Sequence, residues 1–393
     1  MKQFIVITLL ASTVLSASGQ HSIDGVLSSI EANNKELQAN KQLTASKKLE
    51  VKLDNNLADP SVSYVHQYGN REGMGMQGEL VASQSFDFPT VYAQRSKLIK
   101  SQAVGFDRQG AEFRQQILLQ AKEVCLDLVL LNQQKALLDQ RRENAEQLAA
   151  LYATRLESGD ANILETNKIN LELLNAKTEA RMNESARIAK LQELATLNGG
   201  IAIEFNDTTY APVEDILSFE ELCQEAVTSN PQLLTLKSEQ VTARRQISVN
   251  KSKGLPGFEL GYRLNTASGG ERFNGFLVGV SIPLFSNRNN VKQAKAQALY
   301  TDLQLESTTT AIESELHQLY NQSVALRTSM DEYNTVLKSQ NSLALLNKAI
   351  QTGQISMIEY FVDITTLYQS MQNYMQLQNE YQKVMSQLYK YKL

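Results

Sequence analysis

The chain has 393 residues and a formal net charge of −4, with 42% hydrophobic and 20% charged residues. So mild a charge gives no argument for a nucleic-acid binder, which would call for a clustered basic face. Two cysteines and three scattered histidines exclude a disulfide-stapled scaffold and a Cys/His metal cluster.

The chain opens MKQFIVITLLASTVLSASGQ. A basic Lys2, an apolar run from Phe4 to Leu15 and small residues at Ala17-Ser18-Gly19 read as a secretory signal peptide over 1–19, too short for a membrane span. No cysteine lies near the expected cut, so lipid attachment there is not expected. No later stretch is apolar enough for a transmembrane helix.

Two copies of one unit follow. Pro60 and Pro89 recur as Pro256 and Pro283, and Asn34-Lys35-Glu36-Leu37 recurs as Asn230-Pro231-Gln232-Leu233. Lys97, Lys100, Gln102 and Ala103 recur as Lys292, Lys295, Gln297 and Ala298, and Gly159 and Glu165 as Gly353 and Glu359. A period this long marks duplication of a large module and not a solenoid. The boundaries read as a first repeat over 20–198, a linker over 199–218 and a second repeat over 219–393.

In each repeat a helix leads into strands. Val62, Tyr64, His66 and Tyr68 share one face, a glycine-rich turn follows, and Leu80, Ala82, Phe86 and Phe88 alternate up to Pro89. Phe258, Leu260, Tyr262 and Leu264, a turn at Ser268-Gly269-Gly270, and Phe276, Val278, Val280 and Ile282 repeat the pattern. Period-2 alternation bounded by glycines predicts β-hairpins at about 60–88 and 257–283, of outer-membrane barrel length. Four strands cannot close a barrel, and an open edge is not tolerated in lipid, so membrane strands require several chains.

Long helices follow. Ile117, Ala121, Val124, Leu128 and Leu131 step by 4 and 3, and Leu138, Ala145, Leu148 and Tyr152 continue the seam of a helix over about 90–157. Gly159 ends it, and a return helix runs over about 163–197. In the second copy the long helix is expected over about 287–352, broken at Gly353, with a return over about 356–390. There Met357, Phe361, Ile364, Tyr368, Met371 and Met375 form the seam.

Helix, strand hairpin, long helix, glycine turn and return helix, done twice, resembles the TolC-type outer-membrane efflux family across the whole mature chain. Its most specific stretches are Gly353-Gln-Ile-Ser-Met-Ile-Glu359 with Thr365-Thr-Leu-Tyr-Gln369, Ser281-Ile282-Pro283-Leu284-Phe285, and Asn230-Pro231. The resemblance implies a mainly α fold with a small β part: internally duplicated long α-helical hairpins forming a trans-periplasmic helical barrel, and two β-hairpins giving four strands to a trimeric outer-membrane β-barrel. It implies a homotrimer in the outer membrane and periplasm, touching outer-membrane lipid. It also implies a periplasmic adaptor (membrane fusion) protein and an inner-membrane pump of the resistance-nodulation-division (RND) type. The expected function is an exit duct for small molecules or metal cations, not an enzyme, with no cofactor and no metal. A duct for type I protein secretion and a pore-free periplasmic coiled-coil scaffold are the alternatives. The short linker implies a reduced equatorial belt.

The same resemblance places Glu359 at the closed periplasmic end. Asp363, four residues on and one beyond the family's next acidic position, shares its helix face. Under three-fold symmetry each becomes a carboxylate ring that attracts cations; without it, both are solvated surface charges. Arg155 and Gly159 at the first tip and Gly353 at the second resemble an adaptor-docking pattern, and also read as helix-end punctuation. Roles for Cys125, Cys223 and His66 stay open.

Overall fold

The computed structural model describes residues 22–213, 216–338 and 342–393. The signal peptide expected over 1–19 lies outside the described residues, as does part of the expected linker at 214–215. In chain order the elements are α1 (Ile23–Asn33), α2 (Lys35–Leu53), β1 (Ser61–Tyr68), β2 (Met76–Phe86), α3 (Pro89–Glu157) and α4 (Ile163–Leu197). The second half continues with α5 (Phe219–Ser229), α6 (Pro231–Ser252), β3 (Gly257–Ala267), β4 (Arg272–Ser281), α7 (Asn290–Lys338), α8 (Ser342–Gln351) and α9 (Met357–Leu388). Among the described residues the fold is mainly helical, duplicated, and carries four strands, as the sequence implied.

Each repeat opens with a pair of helices broken at an asparagine. Asn230 caps both neighbours: its N–H donates to Ala226 O, and its side chain accepts from Gln232 and Leu233 N–H. Pro231 stands at the first position of α6, where a missing N–H is no loss. Asn34 ends α1 in the same way, through Ile30 O, and its Nδ2 donates to Leu197 O at 2.7 Å. Both asparagines are buried, which their capping bonds permit.

One compact unit comprises the described residues within 22–35, 117–213 and 322–387. Its core follows most of the predicted seam: Ile117, Ala121, Val124, Leu128, Leu138, Ala145, Leu148 and Tyr152 are buried, while Leu131 is half-buried. Asp127 of α3 ties three helices, meeting Lys190 of α4 at 3.3 Å and Lys383 of α9 at 2.5 Å, with Asn379 Nδ2 at 3.1 Å. Burial alone would raise this carboxyl, but the hydrogen bonds from Lys383 and Asn379 and the two lysine charges hold it below the usual range. After α4, Gly199 adopts φ +70° and the chain 199–213 packs back along the helices. Phe205 is buried, and Asn132 and Gln133 donate to Asp207 O at 3.0 Å and Thr208 O at 2.8 Å.

The other unit comprises residues 36–116, 216–321 and 388–393. It holds an antiparallel sheet of order β1-β2-β3-β4. Register places Tyr64 opposite Leu80, Leu80 opposite Leu264, and Tyr262 opposite Phe276, so the predicted alternating residues share one face. That face is open: Tyr64 is 62% exposed and Phe276 92%. The opposite face carries polar groups, among them Glu79 and Arg263 in an ion pair at 2.8 Å. β1 and β4 each have one unpaired edge.

Candidate functional site at the hairpin tips

Both hairpin tips lie in the first unit and use the same local chemistry. Helix α3 ends in a Schellman turn in which Asp160 N–H reaches Arg155 O (2.8 Å) and Gly159 N–H reaches Leu156 O (3.2 Å). At the end of α8, Gln354 N–H reaches Ala349 O (2.9 Å) and Gly353 N–H reaches Ile350 O (3.3 Å). Gly159 and Gly353 have φ of +79° and +72°, where any side chain is strained. A Cβ at either glycine would meet no other atom, so conformation alone requires them.

Three residues after each glycine a polar side chain caps the return helix. Asn162 Oδ1 accepts from Leu164 and Glu165 N–H, and Glu165 Oε2 accepts from Asn162 N–H at 3.2 Å. Ser356 Oγ accepts from Glu359 N–H at 3.2 Å, and Glu359 Oε2 accepts from Ser356 N–H at 2.8 Å. Both are capping boxes. The backbone N–H of Ser356, and then its side chain, hold the Glu359 carboxyl below the usual range. Sequence reasoning singled out Glu359 and missed this bond, although Ser356-x-x-Glu359 before an apolar run spells it.

Asp363 stands one turn beyond Glu359 on the exposed side of α9. It borders a cavity of about 720 Å³ between α7, α8 and α9, beside Leu345, Leu346, Ala349 and Leu367. Arg155 does not simply point to solvent. Its guanidinium stacks over the Tyr152 ring at 5.2 Å and donates to Gln351 O at 3.4 Å, so it spans from the first tip to the second.

Beneath the tips Tyr152, Ile169, Ile350, Met357, Tyr360, Ile364 and Tyr368 form a buried cluster. Tyr360 donates to Asn347 Oδ1 at 2.8 Å, and Tyr368 accepts from Asn144 Nδ2 at 3.2 Å. The seam predicted for α9 named Phe361, which is only half-buried; the buried position is Tyr360, one residue earlier. Nearby, Arg141 meets Glu172 and Glu179 at 2.7 Å each and lies 5.3 Å over the Tyr368 ring.

Neither cysteine is set up as a nucleophile. Burial, helped by the Asp207 charge, pushes the Cys125 thiol up to about 12. Cys223 is likewise raised, by burial and by Glu313, and both cysteines are free. His66 is exposed on β1, with Tyr64 OH 3.1 Å from its Nδ1 and the Tyr68 ring edge-on at 4.6 Å. Among the described residues no group of three or more His, Cys, Asp or Glu could hold a metal ion, and no helix is long and apolar enough to cross a membrane.

Residues 222–391 match the outer membrane efflux protein family. Nearly the whole chain has the fold of TolC-type outer-membrane channels, as the sequence resemblance implied. CusC superposes with a TM-score of 0.78 over 94% of this chain and 91% of that one, at 16% identity. VceC, an outer membrane protein from Vibrio cholerae, gives a TM-score of 0.76 over 94% and 95%, at 12% identity. The outer membrane channel CmeC from Campylobacter jejuni gives 0.71 over 94% and 85%, at 13% identity. No curated protein sequence matches the chain.

Proposed function

We propose that this chain is one protomer of a homotrimeric outer-membrane duct, the exit component of a tripartite efflux system. The observation that carries this reading is the sheet. It presents an open apolar face and two unpaired edges, β1 and β4, on a chain whose other elements are nearly all helices. Backbone groups at an open edge in lipid lack partners, each at a cost of several kcal/mol, so β4 of one copy pairs with β1 of the next. Three copies supply twelve strands, enough to close a barrel. The family match and the channel neighbours support the same class. A pore-free coiled-coil scaffold has no use for such a sheet.

In this duct the helical hairpins cross the periplasm and the tips lie at its inner end. Glu359 and Asp363 form carboxylate rings at the aperture, with Glu359 also holding its own helix cap. Gly159 and Gly353, with Arg155 between the two tips, shape the surface that meets a periplasmic adaptor linked to an RND-type pump. The duct is passive, and its cargo is small molecules or metal cations. After removal of residues 1–19 the protein resides in the outer membrane.

Single-channel conductance in planar bilayers tests this. Purified protein should give a stable cation-preferring pore, and Glu359→Gln with Asp363→Asn should reduce that preference. A pore indifferent to both substitutions moves the aperture elsewhere. A water-soluble particle that forms no pore ends the duct reading.

A further inference from the structure

The duplicated Lys-x-x-Lys-x-Gln-Ala motif takes no part in the function just proposed. It reads Lys97-Leu-Ile-Lys100-Ser-Gln102-Ala103 near the start of α3 and Lys292-Gln-Ala-Lys295-Ala-Gln297-Ala298 at the start of α7. Strand register shows where these segments stand. Ser61 opposite Ser83, Phe86 opposite Phe258, and Gly257 opposite Ser281 place all four helix-proximal strand ends at one end of the sheet. The ends of α2 and α6 and the starts of α3 and α7 adjoin that end.

All four motif lysines are exposed, and none has a carboxylate of the described residues within ion-pair distance. No Asp or Glu occurs over 88–106 or 281–301. Lys251, Lys253 and Arg288 add three more exposed, unpaired cations at the same level. Farther along the helices two of the cations are matched within the chain: Lys48 meets Asp107 at 2.5 Å and Arg244 meets Asp302 at 3.3 Å. Carboxylates at the sheet end are few. Asp87 is taken by Arg95 at 2.7 Å, Asp54 and Asp59 stand in the loop before β1, and Glu259 lies near the start of β3.

Arg288 and Lys292 also sit at the N-terminal end of α7, where the helix dipole favours anions, and no acidic residue occupies that first turn. Self-repelling cations at the wrong helix end lower stability unless an external anion lies against them. The apolar sheet face runs directly into this zone, through Phe258, Ile282 and Phe285, the last two 66% and 82% exposed. Apolar surface followed at once by unpaired cations matches acyl chains followed by phosphates.

We propose that these helix ends form a cationic collar that binds the phosphate headgroups of anionic phospholipids, in the leaflet on the helical side of the sheet. The collar rests on the membrane reading above and adds a lipid preference to it. Basic side chains at a bilayer surface attract anionic lipid over a short range that salt screens.

The test uses the assembled full chain in phosphatidylcholine vesicles with spin-labelled lipids, comparing immobilised phosphatidylglycerol with immobilised phosphatidylcholine. Wild type should prefer phosphatidylglycerol about threefold at low salt, and much less in about 0.5 M salt. The quadruple variant Lys97→Gln, Lys100→Gln, Lys292→Gln, Lys295→Gln should bring the ratio close to one. No preference in wild type, a preference that salt leaves unchanged, or one that survives in the variant overturns the collar. A protein that immobilises neither lipid has not entered the bilayer, and that result overturns the membrane reading together with the collar.

Discussion

The two hairpin tips share a turn and differ in what lies under it. Both run glycine, then a capping side chain three residues later, then a glutamate three beyond that: Gly159, Asn162, Glu165 and Gly353, Ser356, Glu359. Past the caps the buried faces diverge. In α4, Ile163 is 56% exposed, and burial falls on Thr166 and Ile169. In α9 the equivalent Met357 is buried, followed by Tyr360, Ile364 and Tyr368. The counterpart of Asp363 is therefore Ile169, a core residue. Only the second tip can carry two carboxylates on one solvent face. Duplication kept the turn, whose bonds are local, and let the packing face rotate, because that face answers to neighbours.

Substitutions separate the shared part from the divergent one. The largest effect belongs to the divergent core. Tyr360→Ala should cost about 3–5 kcal/mol in reversible unfolding, through the lost ring and its bond to Asn347, while Thr166→Ala at the matching position should cost far less. Equal losses would mean that the two cores are not distinct. Next come the shared turns. Gly159→Ala and Gly353→Ala should each cost about 1–2 kcal/mol, alike at both tips, since strain at positive φ and not crowding sets the loss. Asn should be better tolerated than Ala at both positions, and a large disparity between the tips would point to contacts beyond the turn.

Cap removal is smaller. Asn162→Ala and Ser356→Ala should each lower stability by about 1 kcal/mol, read as a shift in the unfolding midpoint. The smallest effect is the pH slope. Glu359 has a depressed folded pKa, so its stabilisation is complete above the unfolded value of about 4.3 and is lost as pH falls through the lower folded value. Glu359→Gln should flatten the acid limb of midpoint against pH and leave the slope near neutrality unchanged. A variant as acid-sensitive as wild type would assign that limb to other carboxylates, Asp127 foremost.

Much of this molecule was legible in one dimension because its signals are periodic or local. Helix seams, alternating strands, positive-φ glycines and the duplicated asparagine breaks depend on residues a few positions apart. The seam gave the buried face of α3 correctly at Ile117, Val124 and Leu128, but in α9 it chose Phe361 over Tyr360. Both lie near the edge of the same apolar stripe, and periodicity cannot separate neighbours there. Among the tip residues, Gly159 and Gly353 announced themselves, and the capping role of Glu359 was spelled by Ser356 and overlooked. Arg155 meeting Gln351 O bridges positions 196 residues apart and has no local trace.

By itself, then, the sequence determined the element order, the duplication, the turns and the apolar sheet face. Each of these follows from backbone sterics or from a period of 2 or 3.6, within reach of one helical turn or one strand pleat. Tertiary structure alone decided which helix faces are buried at each tip and that Asp127 gathers Lys190 and Lys383. It likewise decided that the four helix ends meet one end of the sheet. Those depend on contacts between residues far apart in the chain, whose geometry is set only when the helices pack and the strands come into register.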